Sequence, residues 1–244
     1  MRKRIDLIAF ITLIIFTASM FYIVPFSSLP YKNHWSYFVI CINMLFAIIF
    51  FRKRTWLITL GLFFTLISDY FLAFKVYTYV DQCIAMTTFS MAQISYGVYI
   101  ILRSENPFKK ISIIIRIVLS IVGALLPVIL LPVMGNTPDY LSVATCIYGV
   151  NLLLNFVFSC INFKKVPLLV FGFLFFMLCD ITVLLSAGNG NYFNIPTDSF
   201  IYKILNQAFN LTWVFYIPSQ MLIVLSEIPS ISNLFKIEKI EKNR

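Results

Sequence analysis

The chain has 244 residues, of which 60% are hydrophobic and 12% charged, and it carries a net charge of +9 at a mean hydropathy of +0.90. A soluble domain is about a quarter charged, so this composition excludes one and implies an all-α, polytopic membrane bundle. The basic residues sit beside apolar runs instead of on a polar face, which marks a topology signal and argues against nucleic-acid binding.

A membrane-spanning helix needs about 20 apolar residues. Runs of that kind fall at 5–27, 35–51, 55–74, 83–102, 111–134, 140–162, 166–188 and 201–226, predicting eight transmembrane helices. The first follows Arg2-Lys3-Arg4, but its apolar stretch is long for a signal peptide and no small-residue cleavage site precedes Pro25, so it reads as a retained helix. Of the nineteen basic residues, fifteen lie at Arg2–Arg4, Arg52–Arg54, Arg103 with Lys109 and Lys110, Lys164–Lys165 and from Lys236 to Arg244, all on one side. Lys32, Lys75 and Lys203 fall on the other, and Arg116, one turn into the fifth helix, is expected to snorkel to the basic side. This asymmetry places both termini in the cytoplasm. The expected unit is one integral membrane domain over 1–244, multi-pass, in a bacterial inner membrane in preference to an endoplasmic reticulum.

Gly61-Leu-Phe-Phe-Thr-Leu-Ile-Ser-Asp69 reappears as Gly172-Phe-Leu-Phe-Phe-Met-Leu-Cys-Asp180. A carboxylate inside a span costs several kcal/mol and is a functional-site candidate by default. Asp69 follows Arg54 by fifteen residues and Asp180 follows Lys165 by fifteen, so both are expected ~22 Å from the inner boundary. Four helices per half, about 1–104 and 105–244, would then form a parallel repeat about the membrane normal.

Polar residues at helical spacing mark other interior faces: Gln93 and Tyr96 on the fourth run, Tyr148, Asn151 and Asn155 on the sixth, and Asn210, Trp213, Tyr216 and Gln220 on the eighth, where Pro218 predicts a kink. An amide in hydrocarbon needs a partner. Any one of these can be interhelical glue, whereas their convergence with two acids predicts a polar intramembrane cavity. Cys41, Cys83, Cys146, Cys160 and Cys179 are scattered through apolar segments and His34 is the only histidine. That pattern fits neither a disulfide framework nor a metal centre nor a serine–histidine hydrolase, and no cofactor is expected.

Two carboxyls in one low-dielectric pocket separate into a protonated acid and an ionised base. The pair suits hydrolysis of an enol ether or acetal, with one group donating a proton and the other activating water. It equally suits proton or cation binding in a transporter, and the spacing leaves both open.

The segment Gly61 to Asp69 with Leu72 resembles a motif of the YhhN/lysoplasmalogenase family. Phe89-Ser-Met-Ala-Gln93-Ile-Ser-Tyr96, Phe175 to Asp180 and Tyr216-Ile-Pro-Ser-Gln220 are similar to its other motifs, in order and at matching intervals. The resemblance implies an integral membrane hydrolase that cleaves the vinyl ether bond of lysoplasmalogen, a membrane lysophospholipid, with Asp69 and Asp180 as catalytic residues. Gln93 stands where the family commonly has histidine and Ser68 where it often has glycine. A glutamine can orient water or a headgroup but cannot shuttle protons, so the alternative is a non-catalytic lipid-binding protein or an ion- or proton-coupled small-molecule transporter using the same polar cavity.

Overall fold

In a bilayer each backbone N–H and C=O must be paired within the protein, and a helix does this inside one segment. The apolar runs accordingly form helices in the computed structural model, which describes residues 2–26, 32–49, 55–75, 78–105, 107–189, 194–206 and 210–226. In chain order these are α1 (Arg2–Phe26), α2 (Lys32–Ile49), α3 (Trp56–Phe74), α4 (Tyr79–Arg103), α5 (Phe108–Val133), α6 (Tyr140–Ile161), α7 (Pro167–Gly188), α8 (Phe200–Leu205) and α9 (Leu211–Leu225). Five helices, α3 to α7, are long and apolar enough to cross a membrane, while α1, α2 and α9 supply the shorter apolar stretches Phe10–Val24, His34–Ile49 and Leu211–Leu225. The chain is therefore an all-helical membrane protein.

The expected continuous helix over 201–226 is corrected. It is two pieces, α8 and α9, and the chain between Asn206 and Asn210 lies outside the described residues. The local cause is a cap. Asn210 has extended backbone angles and its Oδ1 accepts from Thr212 N at 3.1 Å, which starts a new helix there.

Side-chain caps also start α4 and α6: Thr78 Oγ1 accepts from Asp81 N at 3.1 Å and Asp139 Oδ1 from Ser142 N at 2.8 Å. The hydroxyl and amide of Ser142 hold the Asp139 carboxyl below the usual carboxylate range. At this end of the bundle Tyr79 Oη accepts from Leu141 N at 3.3 Å, and Thr87 and Tyr140 share a hydrogen bond of 2.8 Å. At the opposite, basic end Lys165 reaches Glu105 at 2.8 Å, tying the α6–α7 turn to the end of α4. That hydrogen bond and the ammonium charge hold the Glu105 carboxyl low.

The helices α2, α3, α4, α6, α7 and α9 pack each on the next, and α9 returns to α2, so they close a ring. Outside the ring α1 lies against α9 and α2, and α5 lies against α6 with a lighter contact to α4. Most of α5 faces outward: Ile114, Ile117, Ile121, Leu125 and Ile129 are all about half exposed or more, as a lipid-facing surface should be. One residue of α5 breaks that pattern. Arg116 does not snorkel to the basic end but turns inward and is only 8% exposed, its guanidinium 5.2 Å from the centre of the Phe158 ring on α6.

Candidate functional site

The two motif helices reach the interior at one level. Asp69 stands thirteen residues into α3 and Asp180 thirteen residues into α7, which places both ~20 Å from the basic ends of their helices. Asp69 is buried and Asp180 half-buried. Each carboxylate accepts a hydrogen bond from a tyrosine on a neighbouring helix. Tyr216 on α9 donates to Asp69 Oδ2 at 2.5 Å, and Tyr148 on α6 donates to Asp180 Oδ2. Among the described residues no bond engages the second oxygen of either carboxylate.

Phe176, one turn before Asp180, sits between the two pairs. Its ring centroid is 5.5 Å from that of Tyr216 and 6.5 Å from that of Tyr148. Phe89 of α4 closes the cluster 5.4 Å from Tyr148, and Trp213 backs Tyr216 at 5.5 Å. These rings exclude water from the carboxylates on several sides, which strengthens every polar interaction made there. Of the residues expected to line a cavity, Tyr148, Trp213 and Tyr216 thus gather around the two acids.

The others lie elsewhere. Tyr96 is fully buried, shares a hydrogen bond of 3.3 Å with Thr65, and fills the space above Gly61. A Cβ on Gly61 would lie 2.2 Å from the Tyr96 ring, so only glycine allows α3 and α4 to approach this closely. Ser68, where the resemblance expects glycine, donates to Ala85 O at 2.7 Å and fastens the same two helices. Asn151 joins α6 to α5 through Ser120 at 3.1 Å, which is interhelical glue. Asn210 is a correction: it is exposed and occupied as the α9 cap, because the helix starts there, so its amide does not face the interior.

Toward the basic end a second polar group forms. Asn155 Nδ2 donates to both the backbone carbonyl and Oε1 of Gln93, each at 2.8 Å. Both amides are fully buried. Gln220 is fully buried as well, and among the described residues neither of its amide atoms has a partner. Asn43 on α2, not among the expected interior amides, is fully buried with its Nδ2 on Val39 O at 3.1 Å. Its signal was register: Asn43 stands eleven residues into α2 as Asn151 stands eleven into α6.

A groove of about 420 Å³ opens at the far end, lined by Tyr79, Cys83, Thr87, Met91 and Tyr140. Neither carboxylate lines it, and it is a surface furrow between α4 and α6.

The arrangement provides two carboxyl groups at one depth, each anchored by a phenol at one oxygen, in a wall of aromatic rings. It can donate a proton and accept one. No curated protein and no solved structure matches the chain. The sequence profile of the YhhN family matches residues 33–227, which takes in both aspartates, both tyrosines and all but the first of the helices, and the chain belongs to the YhhN family.

Proposed function

We propose that this protein is a membrane-embedded hydrolase of ether lysophospholipids, cleaving the vinyl ether bond of lysoplasmalogen to a fatty aldehyde and a glycerophospho-alcohol. The observation that carries the reading is the pair of carboxylates at matched depth on α3 and α7, held by tyrosines from different neighbours. Their surroundings differ, since Asp69 is 7% exposed while Asp180 is half-buried. Two acids in unlike environments take unlike roles, one as proton donor and one as base.

The chemistry follows from the bond. One carboxyl donates a proton to the enol carbon remote from the ether oxygen, and the π electrons move to leave an oxocarbenium ion. The ionised carboxylate takes a proton from water as the water oxygen bonds to the cationic carbon. The hemiacetal hydroxyl then gives its proton back to the first carboxyl as the carbonyl forms, and the bond to the glycerol oxygen breaks as that oxygen takes the proton held by the second carboxyl. One water is consumed and both carboxyls return to their starting states. No metal or cofactor enters the scheme.

The proposal includes eight membrane crossings, with both termini on the cytoplasmic face of a bacterial inner membrane, in two four-helix halves related as a parallel repeat. Packing supports this: α3 lies on α4 as α7 on α9, α2 on α3 as α6 on α7, and α4 on α6 as α9 on α2. In purified protein Asp69→Asn and Asp180→Asn are each expected to reduce aldehyde release from lysoplasmalogen by at least 10³-fold, the loss of a group acting in general acid–base catalysis together with its charge. Both should retain the wild-type elution profile in detergent. Full activity in both variants would remove the carboxylates from the mechanism. Proton-coupled uptake into liposomes with no aldehyde would assign them to a carrier instead.

A further inference from the structure

A guanidinium buried in a membrane protein costs several kcal/mol unless something pairs with it. Arg116 is 8% exposed, and among the described residues none of Nε, Nη1 and Nη2 has a hydrogen-bond partner. No acidic residue lies on α5 or α6, and α4 holds only Asp81 near its other end. The packing makes room for the arginine deliberately: a Cβ on Gly97 would lie 2.4 Å from Nη1. That same position is 3.0 Å from Asn155 Oδ1, so the guanidinium and the Asn155–Gln93 pair meet beside Gly97 in the interior.

The unpaired groups there are nearly all donors. Asn155 Nδ2 occupies Oε1 of Gln93, which leaves the Gln93 Nε2 amide as a free donor. Ser159, one turn below Asn155 on α6, is fully buried with its hydroxyl unpaired. A cation with a surplus of N–H and O–H donors and one spare acceptor is the complement of an oxyanion, and a guanidinium fork matches phosphate in particular.

We propose that Arg116, with Gln93 Nε2 and the Ser159 hydroxyl, receives the phosphate of a lipid headgroup inside the bundle, on the basic side of the two carboxylates. The placement suits the hydrolase reading, on which this inference rests for the fate of the same molecule. Gly97 and Phe89 are eight residues apart on α4, ~12 Å along the axis, and Phe89 packs on the Tyr148 that holds Asp180. An extended glycerophosphate separates its phosphorus from the vinyl carbons by about 8 Å at ordinary bond lengths, and hydrogen bonds of about 3 Å at its ends span the rest. The lipid then lies with its headgroup toward the Lys165–Glu105 end and its chain beyond the carboxylates. That is the orientation of a lipid drawn from the leaflet at the basic end.

The test is binding to the full-length protein in detergent, using ligands that cannot turn over. These are a saturated 1-alkyl lysophosphatidylethanolamine and the 1-alkylglycerol of equal chain length. Wild type should bind the phosphate-bearing lipid at least tenfold more tightly than the 1-alkylglycerol. Arg116→Gln should lose that preference, leaving the 1-alkylglycerol within about twofold of wild type, while Arg116→Lys should keep part of it. No preference in wild type, or equal weakening of both ligands in Arg116→Gln and Arg116→Lys, would overturn the proposal. Displacement of the lipid by inorganic phosphate at the same concentration would reassign the site to free phosphate and overturn the lipid assignment. Should Arg116→Gln fail to fold, the wild-type preference and the Arg116→Lys value still decide. Tight binding of the 1-alkyl lipid with no aldehyde release from lysoplasmalogen itself would refute the hydrolase and leave this site standing. Equal cleavage of 1-alkenylglycerol and lysoplasmalogen by wild type would do the reverse.

Discussion

At the scale of single residues the site depends on two tyrosine–carboxylate bonds. A hydrogen bond to a charged group is worth about 1.5–3 kcal/mol, and a misplaced catalytic group costs rate far more than binding. Tyr216→Phe and Tyr148→Phe keep the ring that packs against Phe176 but lose the donor. Each is expected to lower turnover of lysoplasmalogen about tenfold, equivalent to 1.4 kcal/mol of barrier, with little change in KM. Steady-state aldehyde release reads this directly, and an unchanged kcat in both would show that the phenols do not position the acids. The depth of Asp69 and Asp180 was legible in the sequence because rise per residue converts position into distance. Their partners were not. Tyr148 and Tyr216 stood among the candidate polar residues, but which tyrosine meets which acid depends on how helices are rotated about their axes, and that is settled by packing across the bundle. Arg116 failed for the same reason. Its distance from the basic end allowed snorkelling, while the face it occupies, opposite a glycine on α4, directs it inward.

At the scale of elements, helix existence and extent were the most legible property. Each predicted end falls within four residues of the observed one, because apolar runs and charged turns are the same features that set where a helix leaves the bilayer. The break between α8 and α9 was missed because Asn206 and Asn210, four apart, read with Trp213 as one polar strip on a continuous helix, although they interrupt the apolar run. The usable signal was Asn210 followed by Leu211-Thr212, an N-cap in mid-run. Contact between α3 and α4 rests on Gly61 under the Tyr96 ring. Gly61→Ala would force that ring to move and disturb its bond to Thr65, and overpacking of a buried contact costs typically 1–3 kcal/mol. A lower melting temperature in detergent is expected for Gly61→Ala. The corresponding Gly172→Ala should be milder, since its Cβ would meet Ile223 at 3.1 Å, a flexible side chain that can yield. Equal destabilisation by both would mean that the α3–α4 approach has no special tightness.

At the scale of the whole molecule, the ends of the bundle are distinguished by their turns. The α3–α4 and α5–α6 connections meet at one end, through Tyr79 and Leu141, and the α4–α5 and α6–α7 connections at the other, through Lys165 and Glu105. In a background with the five native cysteines replaced, a cysteine at Asn162 should react with a membrane-impermeant maleimide only from the cytoplasmic side. One at Asn136 should react only from the opposite side. Labelling of both from one face would invalidate the crossing pattern and the leaflet assigned to the lipid. The ring of six helices with α1 and α5 outside it was not readable from the chain, since hydropathy says that a helix meets lipid and not which neighbours share its remaining face.

The seating of the guanidinium against Gly97 has a consequence for how this protein can change over time. The two residues are on different helices, yet each sets the terms for the other: a side chain at 97 evicts the arginine, and without the arginine the glycine leaves a void beside two amides. Substitutions at the two sites are therefore expected to be coupled, Gly97→Ala costing less melting temperature in an Arg116→Gln background than alone, although the two positions stand nineteen apart in the chain.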